Sequence, residues 1–399
     1  MAASKVKGVR GFMGEEALVR EDAINKIRET YKLFGFEPVE TPALEPLSLF
    51  TGKSGKEIEE QLYLLEDKKG EKLALRPEHT ISKFKIIADN KSIMKPFKTY
   101  SIGNVWRYEN PSSTHFREFT QCDIDIYYAK DIAYDAEIIA CLDFALKRLG
   151  ISAYKIHLNN RKILNKLLQD VAVPVESAMQ VLREMDKIDK AGMDTVIGRI
   201  SALIGAEKAA AIKDYMDGKL KIGGEGAEEL NGLIRYLKAY KIDNFVVDNA
   251  LVRGLDYYDG NVFEFVSEFA KASIASGGRY NKLGEKLSVV IPMVGGSIGF
   301  DRVVSEMIAS TAEKVFAGRY CVISIGADEK AIEVASKLRN EGMACELLMG
   351  VFLSKALDYC NAKKIRYAVM VGKKEVENAE VTLRDLQLSS DRRVKESEL

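Results

Sequence analysis

Three arginines stand where a guanidinium is costly unless it is used. Arg107 ends the apolar run Val105-Trp106, Arg253 opens RGLDYY beside a turn, and Arg302 follows the small-residue run GGSIGF. One such arginine is more often an ion-pair partner than a ligand. Three of them, each heading a separate apolar segment, point to a shared anion. Guanidinium forks grip phosphate oxygens in pairs and keep their charge at any working pH. Converging, they would hold a triphosphate and stabilise charge developing at an α-phosphate under attack. Carboxylates and hydroxyls accompany them. Glu78 in RPEHT lies next to a Pro-fixed turn, and DYYDG brings tyrosine hydroxyls to another. QCDID places Gln121, Asp123 and Asp125 at period two on one strand face, although a polar face open to water would look the same. The residues describe a polar cleft over an antiparallel sheet, suited to a nucleoside triphosphate and a small cationic or amine-bearing ligand.

Other chemistries lack their residues. GKSGKE, starting at Gly52, does not have phosphate-loop spacing, and VGGSIGF (294–300) is not a dinucleotide fingerprint. H-E-x-x-H does not occur. Three histidines and five scattered cysteines without C-x-x-C leave no structural zinc site, so no metal ligands are assigned. The odd cysteine count suits a reducing cytosol, and a cytoplasmic protein is expected. No apolar run reaches the roughly 20 residues of a membrane span. Lys plus Arg (59) equals Asp plus Glu (59), so contact with a polyanion must come from local clusters such as Lys363, Lys364 and Arg366.

The elements that must position these groups follow from periodicity. In 14–34, Ile24, Ile27, Tyr31 and Phe34 recur at helical spacing before Gly35. Three prolines keep 36–46 extended. Strand-like runs fall at 61–65, 73–75, 97–108 and 118–128. The last two flank the turn-rich ENPSSTHFR, which predicts a long antiparallel hairpin. A helix over 131–150 and a strand over 153–158 precede a polar helical insertion at about 160–245. Strands at 246–252 and 261–267 come next, then a strand running into a helix over 291–308. From Tyr320 strand and helix alternate, predicting a small parallel α/β domain with a final strand at 380–386. The division is therefore 1–318 and 319–399, and the fold class is α+β with a C-terminal α/β domain.

FKTYSIGNVWRYENPSSTHFREF resembles motif 2 of the class II aminoacyl-tRNA synthetases, GFEPVETPALEP resembles motif 1 with Pro42, and VGGSIGFDR resembles motif 3. LVRGLDYYDGNVFEF (251–265), GGRYNKL (277–283) and RPEHT narrow the likeness to histidyl-tRNA synthetases. That resemblance implies an ATP-dependent ligase. It would form histidyl-adenylate and pass the histidyl group to the 3′ end of histidine-specific tRNA, as a homodimer joined through motif 1, with Mg2+ accompanying ATP.

It also implies roles. Arg107 holds the α-phosphate, Arg253 faces it and acts catalytically, and Arg302 grips the γ-phosphate. Glu109, His115 and Phe119 complete the ATP site, Phe119 stacking on adenine. Glu78, Thr80 and Gln121 hold the α-amino group of histidine, and Arg253 also binds histidine. Asp125 and Tyr258 read the imidazole, and Tyr257 and Tyr280 line the same pocket. His115 stands where many relatives have Arg, although the class II pattern allows either, and Asp125 stands where Glu is common in bacterial members. Residues 319–399 match the anticodon-binding domain, and the motif 2 loop (110–116) approaches the acceptor stem. The alternative is a non-catalytic histidine-binding regulatory subunit of ATP phosphoribosyltransferase. Such proteins lose the adenylating residues and the C-terminal domain, whereas this chain keeps Arg107, Arg253 and Arg302.

Overall fold

The computed structural model describes residues 6–51, 59–111, 116–253, 258–269, 271–287, 289–311, 319–395 and 398. His115, Tyr257, all of GKSGKE and the expected boundary at 318 lie outside them. The chain divides into two compact units, Met1–Ser310 and Thr311–Leu399.

The first unit is built on a mixed eight-stranded sheet that is mostly antiparallel. Its strands are β1 (Glu37–Pro38), β5 (Phe97–Trp106), β6 (Glu118–Tyr127), β7 (Tyr154–Asn160), β8 (Phe245–Val247), β9 (Asn261–Ser267), β10 (Ser273–Arg279) and β11 (Met293–Gly299). They run in the order β1-β5-β6-β11-β10-β9-β7-β8, with parallel pairing only at the two edges. The predicted hairpin is β5–β6, in register from Phe97↔Tyr127 to Trp106↔Glu118. Helices α1 (Gly14–Leu33) and α3 (Ala133–Arg148) pack together, and α3 also lies on β11. Glu15 and Glu16 in the first turn of α1 and Lys32 in its last complement the helix dipole, and Gly35 takes φ +77° where the chain leaves it. A small sheet, β2 (Leu44–Pro46), β4 (Lys72–Leu75) and β3 (Leu64–Glu66), leads into α2 (Thr80–Asp89).

The stretch expected as an insertion is helical: α4 (Arg161–Asp170), α5 (Val175–Met185), α6 (Ile188–Ala191), α7 (Met193–Ile204), α8 (Ala206–Met216) and α9 (Glu225–Ala239). Its two ends do not stand apart from the sheet, because α4 and α9 pack on β7. Helices α5–α8 pack on one another, and α8 also reaches the sheet, where the Tyr215 hydroxyl donates to Asn159 Oδ1 at 3.4 Å. The strand expected at 246–252 stops at Val247. There the Asp248 carboxylate accepts the Ala250 N–H and its carbonyl the Leu251 N–H, turning the chain. Helix α10 (Phe300–Thr311) follows β11 without a loop.

The second unit departs from a purely parallel plan. Strands β12 (Tyr320–Ile325), β13 (Cys345–Leu348) and β14 (Tyr367–Gly372) are parallel and alternate with α11 (Asp328–Asn340) and α12 (Leu353–Ala362). Beyond the short α13 (Lys373–Glu377), β15 (Glu380–Asp385) and an unanticipated β16 (Ser390–Lys395) add an antiparallel hairpin. Of the suggested basic cluster, Lys363 pairs with Glu346 at 3.3 Å and Arg366 with Asp385 at 3.1 Å. Their charge is largely answered within the unit, which weakens the case for a polyanion site there.

Candidate active site

Cross-strand register gathers the polar groups. Residues directly opposite in an antiparallel ladder share a face, so Asp123 (β6), Ser297 (β11), Ser276 (β10), Glu264 (β9) and His157 (β7) form one row across the sheet. A second row is Asp125, Gly295 and Gly278. Both rows floor a cavity of about 1250 Å³. Arg107, Arg253 and Arg302 all line it, as do Glu78, Thr80, Glu109, Phe119, Gln121, Asp125, Tyr258 and Tyr280. Every expected site residue that the structure describes is therefore brought to one cavity. QCDID is not a water-facing strand: Asp123 and Asp125 are buried, and burial pushes both carboxyls above their usual range while Lys83 pulls them back.

The glycines of the second row leave room for side chains. A Cβ on Gly278 would lie 2.9 Å from the Tyr258 ring and 2.6 Å from the Asn261 carbonyl. One on Gly295 would overlap Asp125 Oδ1 and the Tyr280 hydroxyl. Gly295→Ala should therefore push Asp125 and the Tyr280 hydroxyl out of place and lower stability by about 1–3 kcal/mol. Thermal unfolding would check this; a melting temperature equal to that of the parent would count against it.

Each arginine is held in place. Arg107 Nε donates to the Pro77 carbonyl at 2.9 Å, and its guanidinium lies 5.3 Å from the Phe119 ring centre. Arg302 Nη1 donates to the Ser273 carbonyl at 2.8 Å. Arg253 donates to Glu264 at 3.1 Å and to Ser276 Oγ at 2.8 Å. Its backbone sits in the left-handed region at φ +65°, a sparsely used conformation for a residue with a Cβ. The Asp186 carboxylate, at the end of α5, accepts its N–H. Nearby, His157 Nδ1 lies 2.8 Å from Asp248 Oδ2 at the cavity edge.

Glu78 precedes the first turn of α2, where its carboxylate accepts the Ile81 N–H. Burial nevertheless raises its pKa to about 7, with Arg107 acting in the opposite sense. Gln121 Oε1 and Asp123 Oδ1 are buried acceptors with no hydrogen-bond partner among the described residues. Three carbonyl or carboxylate groups thus converge where a small cation would satisfy them. His79 is different. Burial, then Lys83 and Arg76, lower its pKa to about 3, so it is neutral. Its Nε2 faces the Gly103 carbonyl at 3.3 Å, which can only accept, so Nδ1 is the acceptor for Thr41 Oγ1 at 2.9 Å. His79 holds the hairpin to α2 and is structural. Arg279 of GGRY is likewise structural, its Nε donating to buried Asp135 at 3.1 Å.

Sequence reasoning assigned no role to Lys83, Glu264 or Ser276. The signal for Lys83 is a charge within the apolar stretch of TISKFKIIAD. The other two emerge only from strand register.

Comparison with known proteins places this geometry. The family described as histidyl-tRNA synthetase matches residues 8–303, and the anticodon binding domain matches 319–399. The chain is 31% identical to the histidine–tRNA ligase of Methanocaldococcus jannaschii over 401 residues, covering 96% of this chain and 95% of the relative. It is 33% identical to histidine–tRNA ligase 1 of Bacillus cereus over 430 residues, covering 100% and 97%. The crystal structure of histidyl-tRNA synthetase from Nostoc sp. PCC 7120 superposes with TM-score 0.86 at 26% identity, covering 99% of this chain and 97% of that one. The full-length ligase relatives, together with the match over 319–399, favour the ligase over the regulatory-subunit alternative. The chain belongs to the histidyl-tRNA synthetase family, with a class II catalytic core and a C-terminal anticodon-binding domain.

Proposed function

We propose that the three arginines bind ATP in a bent form over the sheet, Arg107 and Arg253 on either side of the α-phosphate and Arg302 at the γ-phosphate. The protein is a histidine–tRNA ligase, and the observation carrying this assignment of roles is that all three line one cavity with buried acceptors on its floor. Glu78, Thr80 and Gln121 take the α-amino group of histidine. Asp125 and Tyr258 take the ring, with Tyr280 behind it, and Tyr257 is assigned to histidine by its motif alone. Phe119 stacks on adenine beside Glu109, and His115 is assigned to the phosphates by its motif alone. In-line attack of the histidine carboxylate on the α-phosphate needs positioning and neutralised charge more than a proton carrier. The fixed guanidinium forks supply both. Charging of histidine-specific tRNA with labelled histidine tests the whole reading, and failure to charge it with active ATP and histidine present would overturn it.

Magnesium enters with ATP. The ion is proposed to ride on the phosphate oxygens, with few protein ligands. When bound it would neutralise phosphate charge. Chelation by EDTA should abolish exchange and added Mg2+ should restore it; full activity in EDTA would contradict this part.

Ionised Glu78 is the form that holds an ammonium. With its carboxyl raised to about 7, a share of the free protein carries it protonated at neutral pH. Binding the amino group should release part of that proton. Calorimetry at pH 7 in buffers of different ionisation heat should show this release, and Glu78→Gln should remove it. In stability the sign is fixed: the folded state binds the extra proton, so the penalty for burying this carboxylate grows as pH rises from about 4.5 to about 7.

Leu44, Leu64 and Leu65 are exposed on the small β2-β4-β3 sheet beside motif 1. That apolar surface supports a homodimer, to be checked by sedimentation. Among the described residues no helix is long and apolar enough to cross a membrane, and all five cysteines are free thiols. The proposed place of work is the cytoplasm.

A further inference from the structure

Lys83 lies on α2, and its side chain is 0% exposed. Its ammonium pairs with Asp125 Oδ2, while the Tyr280 hydroxyl donates to Asp125 Oδ1. Asp125 and Tyr280 line the cavity, and Lys83 stands behind Asp125. A lysine in this position is unusual: fully buried ammonium groups persist only when paired. Its partner is the one carboxylate assigned to the ring pocket. Each Asp125 oxygen is engaged once, and each keeps a lone pair that an incoming N–H can use. Without the lysine, burial would favour the neutral acid, which presents a donor where an acceptor is needed. The carboxylate would also be free to swing, since Tyr280 fixes only one oxygen.

We propose that Lys83 is a positioning residue for histidine recognition, locking Asp125 as an ionised, oriented acceptor for the ring N–H. The inference rests on the reading of Asp125 as the imidazole acceptor given above. Lys83 also cancels the charge of Asp125, so the pair offers a neutral ring an acceptor and offers a cationic side chain no net attraction. Asp125 is one methylene shorter than glutamate, and a lysine fixing it from behind gives it a defined place despite the shorter reach.

The test uses the full chain in histidine-dependent ATP–pyrophosphate exchange, with KM for each substrate and kcat measured separately. Lys83→Met should raise KM for histidine at least tenfold, leave KM for ATP within about twofold and lower kcat less than KM rises. In Lys83→Met/Asp125→Asn the buried charge is gone and an amide oxygen still accepts, so at least tenfold of the lost affinity should return. Unchanged histidine KM in Lys83→Met, or no recovery in the double variant, would overturn the proposal. Should Lys83→Met not fold, the comparison passes to Asp125→Asn against the double variant. The double must then bind histidine at least tenfold better, because Asp125→Asn alone leaves the ammonium unpaired beside the ring. Absence of histidine-dependent exchange in the unaltered protein would instead defeat the functional reading and is thereby distinguishable.

Discussion

Arg253→Ala should slow histidine-dependent ATP–pyrophosphate exchange about a thousandfold while leaving the melting temperature nearly unchanged. A preorganised donor aimed at developing charge is worth about two to three orders of magnitude in rate. Arg253 is preorganised in an unusual degree. Its backbone is held at φ +65° with Asp186 on its N–H, and Glu264 and Ser276 fix its fork. Stability should change little because the residue is only partly buried, and alanine at the same φ carries a similar backbone penalty. Glu264 loses a partner but remains partly exposed to the cavity. Arg253→Lys should recover only a fraction of the rate, since one ammonium cannot reach Glu264, Ser276 and a phosphate together. Wild-type exchange in Arg253→Ala would remove the arginine from the reaction.

The second large effect is on both folding and activity. Asp125→Ala should lower stability by about 3–5 kcal/mol, because it strands the buried Lys83 ammonium without its carboxylate. For a unit of this size that is a fall in melting temperature of roughly 5–10 °C. Exchange should drop at least a hundredfold at fixed histidine, through KM for histidine. Calorimetric unfolding and exchange kinetics on the same preparation would measure both. A variant as stable as the parent would mean that Lys83 finds another partner, and the ion pair would lose its place in this account.

Much of the scaffold could be read before any coordinates. The β5–β6 hairpin is legible because two alternating runs flank a stretch rich in Asn, Pro and Ser. Gly35 and Gly150 mark the ends of α1 and α3 because both take positive φ there. The unread parts depend on long-range pairing. Glu264, Ser276 and Ser297 become neighbours of Asp123 only through register across four strands, and no local pattern encodes that. Strand β16 was missed because it is an edge strand, mostly exposed, with a charged sequence, SDRRVK, that lacks an apolar face. Lys83 is not legible from period alone, which does not say that its side of α2 faces a buried carboxylate. Its neighbours Ile81 and Phe84 are core residues, and that context was the available clue.

The most direct measurement of the central claim is a structure of the protein with a non-hydrolysable histidyl-adenylate analogue. The account predicts the phosphate-mimicking group between the guanidinium groups of Arg107 and Arg253, adenine against Phe119, and the imidazole N–H on Asp125. An analogue bound elsewhere, or lying in the cavity with Arg107 or Arg253 turned away from that group, would contradict it.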